Sequence, residues 1–356
     1  MKHEVNYGEY LFKRRILGAS LVFFLFIAFI ISISVGSYSV GFLGLFRYFW
    51  VLLTNNTQDL GNMPLIYSLR TCRALAAIFA GIVLGVSGAM MQCVLRNPLA
   101  SPYTLGVNQG AALGAAIAII YLGGGIVTRT GEGVIISNPY VIPIVAFVGA
   151  MSAVAVVLTL AKIRNLSPVG LILGGVATAS FFQALLFLIQ YFSTDVQVAA
   201  ITFWMFGDFG RAYWDKVLLM AIAALVVISY AYYRAWSYNA LLMGDDVAKT
   251  LNTEPKRIRL ESMLIAAFGN AVIVSFVGII GFVGLIAPHI IRMIIGGNHK
   301  YLVPYSALMG AVLLLFADIL GRVVIMPRIL PVGIVTTLIG IPMLVYLIIR
   351  QGEGYR

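Results

Sequence analysis

Long apolar runs separated by short polar stretches dominate the chain, which is the pattern of a protein that crosses a membrane many times. A helix needs about 20 apolar residues to span a bilayer core. Ten runs are candidate spans, at residues 16–35, 71–93, 104–122, 140–160, 168–191, 215–234, 262–279, 283–295, 302–321 and 332–350. The pattern predicts an all-α polytopic membrane protein with about ten transmembrane helices. Around the glycine-rich stretch 278–284, one bent span is the alternative to a reversal.

The order of the runs predicts an inverted repeat. Four spans follow the first and four follow the sixth, forming two comparable blocks. Because five spans separate corresponding members, the blocks cross the membrane in opposite directions, as in many transporters. We expect one transmembrane domain over residues 16–350, with a tail at each end (1–15 and 351–356).

Composition agrees with a membrane protein and explains its positive charge. The 356 residues are 61% hydrophobic and 10% charged, with mean hydropathy +0.98, whereas soluble domains carry about 25% charged residues. The net charge of +11 is also typical of nucleic-acid binding. With a cytoplasmic N-terminus, however, 16 of the 24 lysines and arginines lie on the cytoplasmic side and eight outside, as the positive-inside rule requires. We therefore expect cytoplasmic termini and no nucleic-acid partner.

The first apolar run is interpreted as a membrane span and not as a signal peptide. Residues 16–35 are too long for the apolar region of a signal peptide, about 7 to 15 residues, and end without a small-residue cleavage site. We interpret them as a retained first span.

Cys72 and Cys93 lie within one predicted helix, too far apart to form a disulfide there, and are interpreted as core residues.

A polar segment broken by prolines joins the second and third predicted spans. We call residues 96–103, Arg-Asn-Pro-Leu-Ala-Ser-Pro-Tyr, the hinge. Pro98 and Pro102 remove two backbone donors and prevent a continuous helix. Irregular backbone at membrane depth occurs only where protein or a water-filled cavity covers it. The hinge therefore indicates a pathway.

The longest polar stretch between spans, residues 239–261, is predicted to form short amphipathic helices on the cytoplasmic side. One apolar face is expected to hold the leucines and valine of the stretch, Leu241, Leu242, Val247 and Leu251. Asp246, Lys249 and Thr250 are expected to point outward. The stretch is either a solvated loop or a docking surface for a cytoplasmic partner.

Three arginines lie at the external ends of predicted helices. Arg70 and Arg73 are one turn apart, and Arg322 follows Asp318 by four residues. Such arginines commonly snorkel to the membrane interface. Alternatively, they present cations to an external partner, or Asp318 neutralises Arg322 within its own helix.

Nothing in the sequence predicts covalent chemistry or a resident metal. The chain has three histidines, and His289 has no carboxylate or cysteine at ligand spacing. A P-loop motif is also missing. We therefore expect no catalytic residues, metal or cofactor in this chain, and any ATP must be hydrolysed by another polypeptide. Glycines 81, 85 and 88, then 106, 110 and 114, and then 278, 281 and 284 are expected to allow close packing of helix backbones.

Together these features resemble the iron-chelate and cobalamin (FecCD-type) permease family of bacterial and archaeal ABC importers, with the type II importer fold, over residues 66–350. The resemblance rests on motifs that occur in the family's order. They are Arg70-x-x-Arg73, Ser87-Gly88-x-x-x-Gln92, Arg96-Asn97-Pro98-Leu99-Ala100-x-Pro102, Leu105-Gly106, Leu173-Gly174-Gly175-Val176-Ala177, Phe203-Trp204-Met205-x-Gly207, Gly281-Phe282-x-Gly284-Leu285-Ile286-x-Pro288-His289-Ile290-x-Arg292, His299-Lys300, Ala317-Asp318 and Leu330-Pro331-Val332-Gly333-Ile334-Val335-Thr336.

The resemblance implies a permease subunit in the cell membrane that pairs with a second permease, most simply a second copy of itself. Two cytoplasmic ABC ATPases would drive it, and a substrate-loaded binding protein would dock from outside. The implied docking residues are Arg70, Arg73 and Arg322. The implied gate and pathway residues are Gln92, Asn97, Pro98, Leu99, Ser167 and Pro168, although Pro168 and Val169 are less polar than the residues of some members. The implied ATPase-coupling residues are Leu242, Gly244, Asp245, Asp246, Ala248 and Leu251.

The cargo implied by the resemblance is a metal chelate. A ferric siderophore is the leading expectation, and cobalamin or another corrinoid and haem are the alternatives. An ion-coupled secondary transporter also has inverted repeats and broken helices, but it needs intramembrane ionisable residues, which are scarce here. A membrane-embedded enzyme would need a cluster of His, Asp or Glu residues that the sequence does not offer.

Overall fold

The computed structural model describes residues 7–36, 63–122, 126–127, 134–135, 138–163 and 167–353. Within these ranges, thirteen α-helices account for most of the chain. They are α1 (Tyr7–Ser34), α2 (Met63–Val94), α3 (Val107–Tyr121), α4 (Val141–Ile163), α5 (Pro168–Tyr191), α6 (Asp195–Met205), α7 (Trp214–Tyr233), α8 (Ala235–Leu242), α9 (Asp245–Thr250), α10 (Pro255–Val277), α11 (Val283–Ile295), α12 (His299–Val323) and α13 (Val332–Glu353). Two short 3-10 helices, Pro102–Leu105 and Phe209–Arg211, and an antiparallel pair of two-residue strands, β1 (Ile126–Val127) and β2 (Val134–Ile135), complete the described elements. Residues 1–6 and 354–356 of the expected tails lie outside the described residues.

The helices confirm the predicted membrane architecture. Seven of them, α1, α2, α4, α5, α7, α10 and α12, are long and apolar enough to cross a membrane, and α3, α11 and α13 are shorter apolar helices. Each of the ten falls on a predicted span. The chain does reverse at residues 278–282, where Gly278 and Phe282 both have positive φ, 82° and 66°. Arg259 near the start of α10 and Arg292 near the end of α11 both contact the last turn of α2, so the two helices run in opposite directions. The bent-span alternative is therefore wrong.

The helix α6 was not predicted. It has 11 residues and a complete capping box, in which Thr194 accepts a hydrogen bond from the backbone N–H of Gln197 and the Gln197 side chain accepts one from the backbone N–H of Thr194. Eleven residues are too few to give the signal of a membrane span. The short helices α8 and α9 confirm the helices expected near 239–261, although α8 begins earlier, at Ala235.

Helix packing follows the predicted inverted repeat. In the first block α2–α5 correspond to α10–α13 of the second. The first helix of each block packs on the third helix of the other, α2 on α12 and α10 on α4. Within each block the second and third helices pack together, α3 on α4 and α11 on α12. The two blocks therefore interlock around α2 and α10.

Glycines allow these close contacts. A β-carbon at Gly81 would overlap the carbonyl oxygen of Gly310 on α12, and one at Gly110 would overlap that of Gly149 on α4. The predicted role of these glycines in tight packing is confirmed. Cys72 and Cys93 are both buried and free on α2, as expected.

Basic side chains gather at two ends of the bundle. At the end that carries α8 and α9, Arg14 stacks on Tyr301 and Arg96 contacts the Leu241 carbonyl. At the opposite end, Arg70 contacts the last carbonyls of α1. The hinge and the predicted coupling residues therefore share the α8–α9 end, and the three arginines considered for external docking share the other.

The paired glycines of α5 test whether close packing holds the hinge. A β-carbon at Gly175 would overlap the carbonyl oxygen of Thr104, which follows the hinge, whereas the atom nearest to one at Gly174 is 3.8 Å away. We expect Gly175→Ala to destabilise the protein by about 1–3 kcal/mol through overpacking. Gly174→Ala should be neutral or stabilise it by up to about 1 kcal/mol, since alanine favours helix. Thermal unfolding of both purified variants measures the difference, and equal midpoints would show that this contact does not hold the hinge.

Candidate functional site

The hinge is a turn between two helices, as predicted. Helix α2 ends at Val94, and Arg96 has a positive φ of 48°. The side-chain oxygen of Asn97 accepts a hydrogen bond from the backbone N–H of Leu99 (2.9 Å), and its carbonyl accepts one from the N–H of Ala100 (3.0 Å). The chain thus turns on Asn97 and presents Leu99, which is 45% exposed.

A cavity of about 600 Å³ lies beside the hinge. Its walls come from the hinge region, α3, α5, the end of α6, the reversal after α10, and α13. The lining residues are Leu99, Ser101, Tyr103, Thr104, Gln109, Ala112, Gln183, Met205, Phe206, Ile279, Gly281, Phe282, Leu285, Gly333, Ile334, Thr337 and Leu338. None of these side chains is charged, so the cavity has apolar and neutral polar walls.

One wall of the cavity is built from irregular backbone whose polar groups are satisfied internally. Phe206 and Ile279 form a parallel bridge, and the N–H of Ile279 donates to the carbonyl of Met205 (3.3 Å). Next to them, the N–H of Gly333 donates to the carbonyl of Gly207 (3.2 Å). Three separate segments therefore meet at the cavity. The sequence motifs that contain these segments were assigned no role. An irregular segment within an apolar region, the signal that identified the hinge, could have indicated them.

The predicted gate residues occupy different positions around this cavity. Leu99 lines it, and Asn97 positions Leu99. Gln92 is buried and accepts a hydrogen bond from Arg292 (2.8 Å) while donating to the carbonyl of Leu285 (3.2 Å), whose residue lines the cavity. Gln92 therefore stabilises the cavity wall at Leu285 without lining the cavity itself.

Pro98, Ser167 and Pro168 do not line the cavity. Pro98 is exposed on the hinge. Ser167 is the N-cap of α5, where its hydroxyl accepts from the N–H of Gly170 (3.2 Å), and Pro168 occupies the first turn of that helix. Ser167 and Pro168 thus determine where α5 starts.

The α8–α9 region presents an apolar surface to solvent. Four side chains are well exposed and form what we call the outer patch, Leu242, Met243, Val247 and Leu251. Leu241 is buried instead, so the expectation that it shares a face with the other three is wrong. Ala248 is also buried, and Gly244, with φ 114°, links the two helices. The Asp246 side chain points outward, 99% exposed. A partner would meet apolar groups next to an acidic one.

Asp245 turns inward, unlike its neighbour. One of its carboxylate oxygens accepts hydrogen bonds from Arg259 (2.6 Å) and Arg96 (2.5 Å). The hydrogen bond from Arg259 is the main cause that holds the pKa of Asp245 below its usual value, and the charges of Arg259 and Arg96 add to it. Asp245 is therefore ionised throughout the physiological pH range.

At the opposite end of the bundle, two of the three arginines cap α1. Arg70 donates to the carbonyls of Ile33 (3.0 Å) and Ser34 (3.1 Å). Arg322 donates to the carbonyls of Ser32 (2.8 Å) and Val35 (2.9 Å). Both arginines are buried, so they do not snorkel to the interface. They satisfy carbonyls at the C-terminus of α1, where a positive charge is favoured.

Arg73 lies at the same end of the bundle and contacts two carboxylates. Its guanidinium contacts Asp318 (2.8 Å) and Asp208 (3.0 Å), and Asp318 also pairs with Arg322 (3.1 Å). The expected neutralisation of Arg322 by Asp318 is confirmed. A cavity of about 260 Å³ opens among Arg70, Arg73 and Arg322. Their docking role stays a prediction.

Within the described residues, no group of three or more His, Cys, Asp and Glu side chains is placed to hold a metal ion. His289 is buried on α11 near Arg292, in agreement with its interpretation as a packing residue.

Residues 24–350 match the sequence model of the FecCD transport family. A Methanocaldococcus jannaschii protein provisionally named an ABC transporter permease is 46% identical over 97% of each chain. The hemin transport system permease of Yersinia pestis is 34% identical, covering 91% of this chain and 94% of that one. The Fe(3+)-citrate import system permease of Bacillus subtilis is also 34% identical, over 92% of each chain. A solved inward-facing structure, provisionally described as a metal-chelate type ABC transporter, superimposes with a TM-score of 0.77 at 28% identity, covering 94% of this chain and 99% of that one.

The buried carboxylate of Asp318 provides a stability test. Asp318→Asn would leave Arg73 and Arg322 together without their shared negative charge, and breaking a buried ion pair in this way costs about 3–5 kcal/mol. We expect a clearly lower thermal unfolding midpoint for the purified protein. Asp246→Asn, which removes an exposed carboxylate, should change stability by no more than about 0.5 kcal/mol. Equal midpoints for the two variants would mean that the network does not stabilise the fold.

Proposed function

This chain belongs to the FecCD transport family, and we propose that it is the permease subunit of a binding-protein-dependent ABC importer that moves a metal chelate into the cytoplasm. It is a transport permease and not an enzyme. The observation that carries the proposal is the uncharged cavity beside the hinge, within a domain that the family covers almost completely. Such a cavity fits a solute that crosses without forming strong ionic contacts.

We propose that the hinge forms the gate. Leu99 projects into the cavity, and the hydrogen bond from its N–H to Asn97 fixes the turn that places it there. Gln92 links the hinge end of α2 to Leu285 in the opposite wall. We assign Ser167 and Pro168 to a second gate loop, because they start α5, which packs through Gly175 on Thr104, the residue directly after the hinge.

Two ABC ATPases would bind the α8–α9 end. The outer patch offers exposed apolar side chains, which are uncommon on a polar connecting segment and are typical of an interaction site. Asp246 beside the patch adds a charge for orientation. Because the chain has no P-loop, ATP would be bound and hydrolysed by these partners.

An external binding protein would dock at the opposite end. The cavity among Arg70, Arg73 and Arg322 is lined by three guanidinium groups and opens to the surface. Guanidinium groups gathered at one surface cavity favour the approach of a negatively charged group, so a carboxylate from a partner would be attracted there.

A second permease would complete the pathway. Leu338 is 66% exposed at the edge of the cavity, and Phe203 on α6 is equally exposed. Large apolar side chains in these positions suit either lipid or a second permease. We propose a second copy of this chain, with a paralogue as the alternative.

A ferric siderophore is the proposed cargo, with cobalamin or another corrinoid, or haem, as alternatives. The relatives named for Fe(3+)-citrate and for hemin are equally similar to this chain, so identity does not choose between them. Walls without charge suit a chelate whose metal is already enclosed by its ligand. They do not suit an ion-coupled secondary transporter, which needs ionisable groups along its pathway.

We place the protein in the cell membrane with both termini in the cytoplasm, because the positive-inside count favours this orientation. The α8–α9 end is then cytoplasmic. Closure of the ATPases on ATP would move α8 and α9 and repack the hinge, so that the cavity opens alternately to each side. The ATPases would supply the energy, and this chain would perform no covalent chemistry.

Reconstitution tests this function. Vesicles would contain the permease and its ATPase, with ATP on the ATPase side and binding protein loaded with a ferric siderophore, a corrinoid or haem on the other. We expect ATP-dependent accumulation of one chelate, and none with an ATPase that cannot hydrolyse ATP. Accumulation by this chain alone, without ATPase or ATP, would contradict the proposal.

A further inference from the structure

A single carboxylate joins the hinge to the cytoplasmic helices. Asp245 is the first residue of α9, and one of its oxygens accepts hydrogen bonds from both Arg96 and Arg259. Arg96 is the first residue of the hinge. Arg259 lies near the start of α10, and its side chain is 3% exposed. Three elements therefore meet at one oxygen atom.

Each arginine also donates a hydrogen bond to a carbonyl at or near the end of a helix. Arg96 donates to the carbonyl of Leu241 near the end of α8 (3.2 Å). Arg259 donates to the carbonyl of Val94, the last residue of α2 (3.2 Å). The end of α2 and the hinge that follows it are thus tied to α8 and α9 by charged side chains on both sides of Asp245.

Helix packing already joins α8 to α2. Helix α9 packs mainly against α8 and α10, and the side chains of Val247 and Leu251 face solvent. Cys93 adds one weak contact from α2, an S–H donated to the carbonyl of Tyr238 on α8 (3.4 Å). Among the described residues, the Asp245 carboxylate therefore forms a direct charged link between α9 and the hinge.

We propose that Asp245 is the joint that converts movement of α9 into movement of the hinge. The inference rests on the proposed function, and it changes the role expected for Asp245 from a contact with the ATPase to a contact within the permease. A partner that displaces the outer patch would pull α9, and the carboxylate would carry that displacement through Arg96 to the residues preceding Leu99.

A charged group is required at this joint. Hydrogen bonds between ionised partners are roughly twice as strong as neutral ones. An asparagine amide is neutral and offers one oxygen without charge, so it cannot hold two guanidinium groups together against their repulsion. The positive φ of Arg96 places its side chain toward α8 and α9 at the point where the chain leaves α2.

The first experiment measures hydrogen exchange in the full-length purified chain without partners. Arg96→Gln removes the hydrogen bond from the hinge to Asp245 and leaves the ion pair of Asp245 with Arg259, so the variant should fold. We expect exchange in both the hinge and α9 to rise together by about tenfold, as loss of one charge-assisted hydrogen bond implies. Arg257→Gln, which breaks the exposed pair of Arg257 with Glu261 on the same helix, is the matched control and should change neither segment. Unchanged exchange in Arg96→Gln would overturn the proposal.

The second experiment uses vesicles with ATPase and loaded binding protein. We expect Arg96→Gln and Asp245→Asn to retain ATP hydrolysis within about twofold, whereas the chelate moved per ATP falls by about tenfold or more. Asp245→Glu, which keeps the charge, should recover part of the transport. A merely structural role would lower hydrolysis and transport together, and that result would overturn the joint.

The two experiments separate the joint from the proposed function. If the wild-type protein accumulates no chelate with ATP, the proposed function fails, and hydrogen exchange still decides whether Asp245 connects α9 to the hinge. If the wild-type protein transports and Asp245→Asn transports equally well per ATP, the function stands and the joint is refuted.

Discussion

Polar groups that are removed from water must find partners inside the protein, and arginines meet this requirement at the helix ends of this chain. Arg70 and Arg322 satisfy the last carbonyls of α1. Arg211 does the same for the end of α6 through the carbonyls of Phe203 (2.6 Å) and Trp204 (3.0 Å). Arg259 satisfies Val94 at the end of α2. Because these ends are covered, the chain can leave helical structure at the membrane boundary.

Irregular segments then become available for function. The hinge, the bridge of Phe206 with Ile279 and the reversal at Phe282 all border the same cavity. Charges are kept at the two ends of the bundle, and the cavity between them has neutral walls. In the proposed importer, passage through the cavity would be controlled by the position of its walls. Movement of α8 and α9 would change that position through the proposed joint at Asp245.

Much of the fold could be predicted because hydropathy identifies the segments that are apolar and long enough to cross a membrane. All ten spans were found, but α2 begins at Met63 instead of residue 71, and α10 begins at Pro255 instead of 262. The first turns of α10 are rich in charged residues and lie beyond its apolar run, where hydropathy gives no signal of a span. The first turns of α2 are largely apolar, but they precede Arg70, where the predicted span was cut off. The short helix α6 was missed because 11 residues are too few to give the signal of a membrane span.

Side-chain partners were harder to predict than helices. The spacing of Arg70 and Arg73 places them on one face, but it does not show that Arg70 reaches carbonyls of α1 while Arg73 reaches Asp318. Similarly, adjacent residues Asp245 and Asp246 point in different directions on a helix, but only the structure shows that Arg259 and Arg96 lie on the side that Asp245 faces. Such partners are distant in sequence, and no local pattern reveals them. The cavity was indicated by the hinge, yet most of its lining comes from segments whose motifs had no assigned role.

We propose that the hinge is the cytoplasmic gate of a pathway, and labelling of Leu99→Cys is a direct test of that role. The native cysteines are buried, so a membrane-impermeant maleimide would report mainly the new thiol. We expect labelling in inside-out vesicles and protection in right-side-out vesicles. The reverse is expected for Tyr213→Cys at the opposite end, where Tyr213 is 54% exposed. Labelling of Leu99→Cys from the outside alone would contradict both the orientation and the gate.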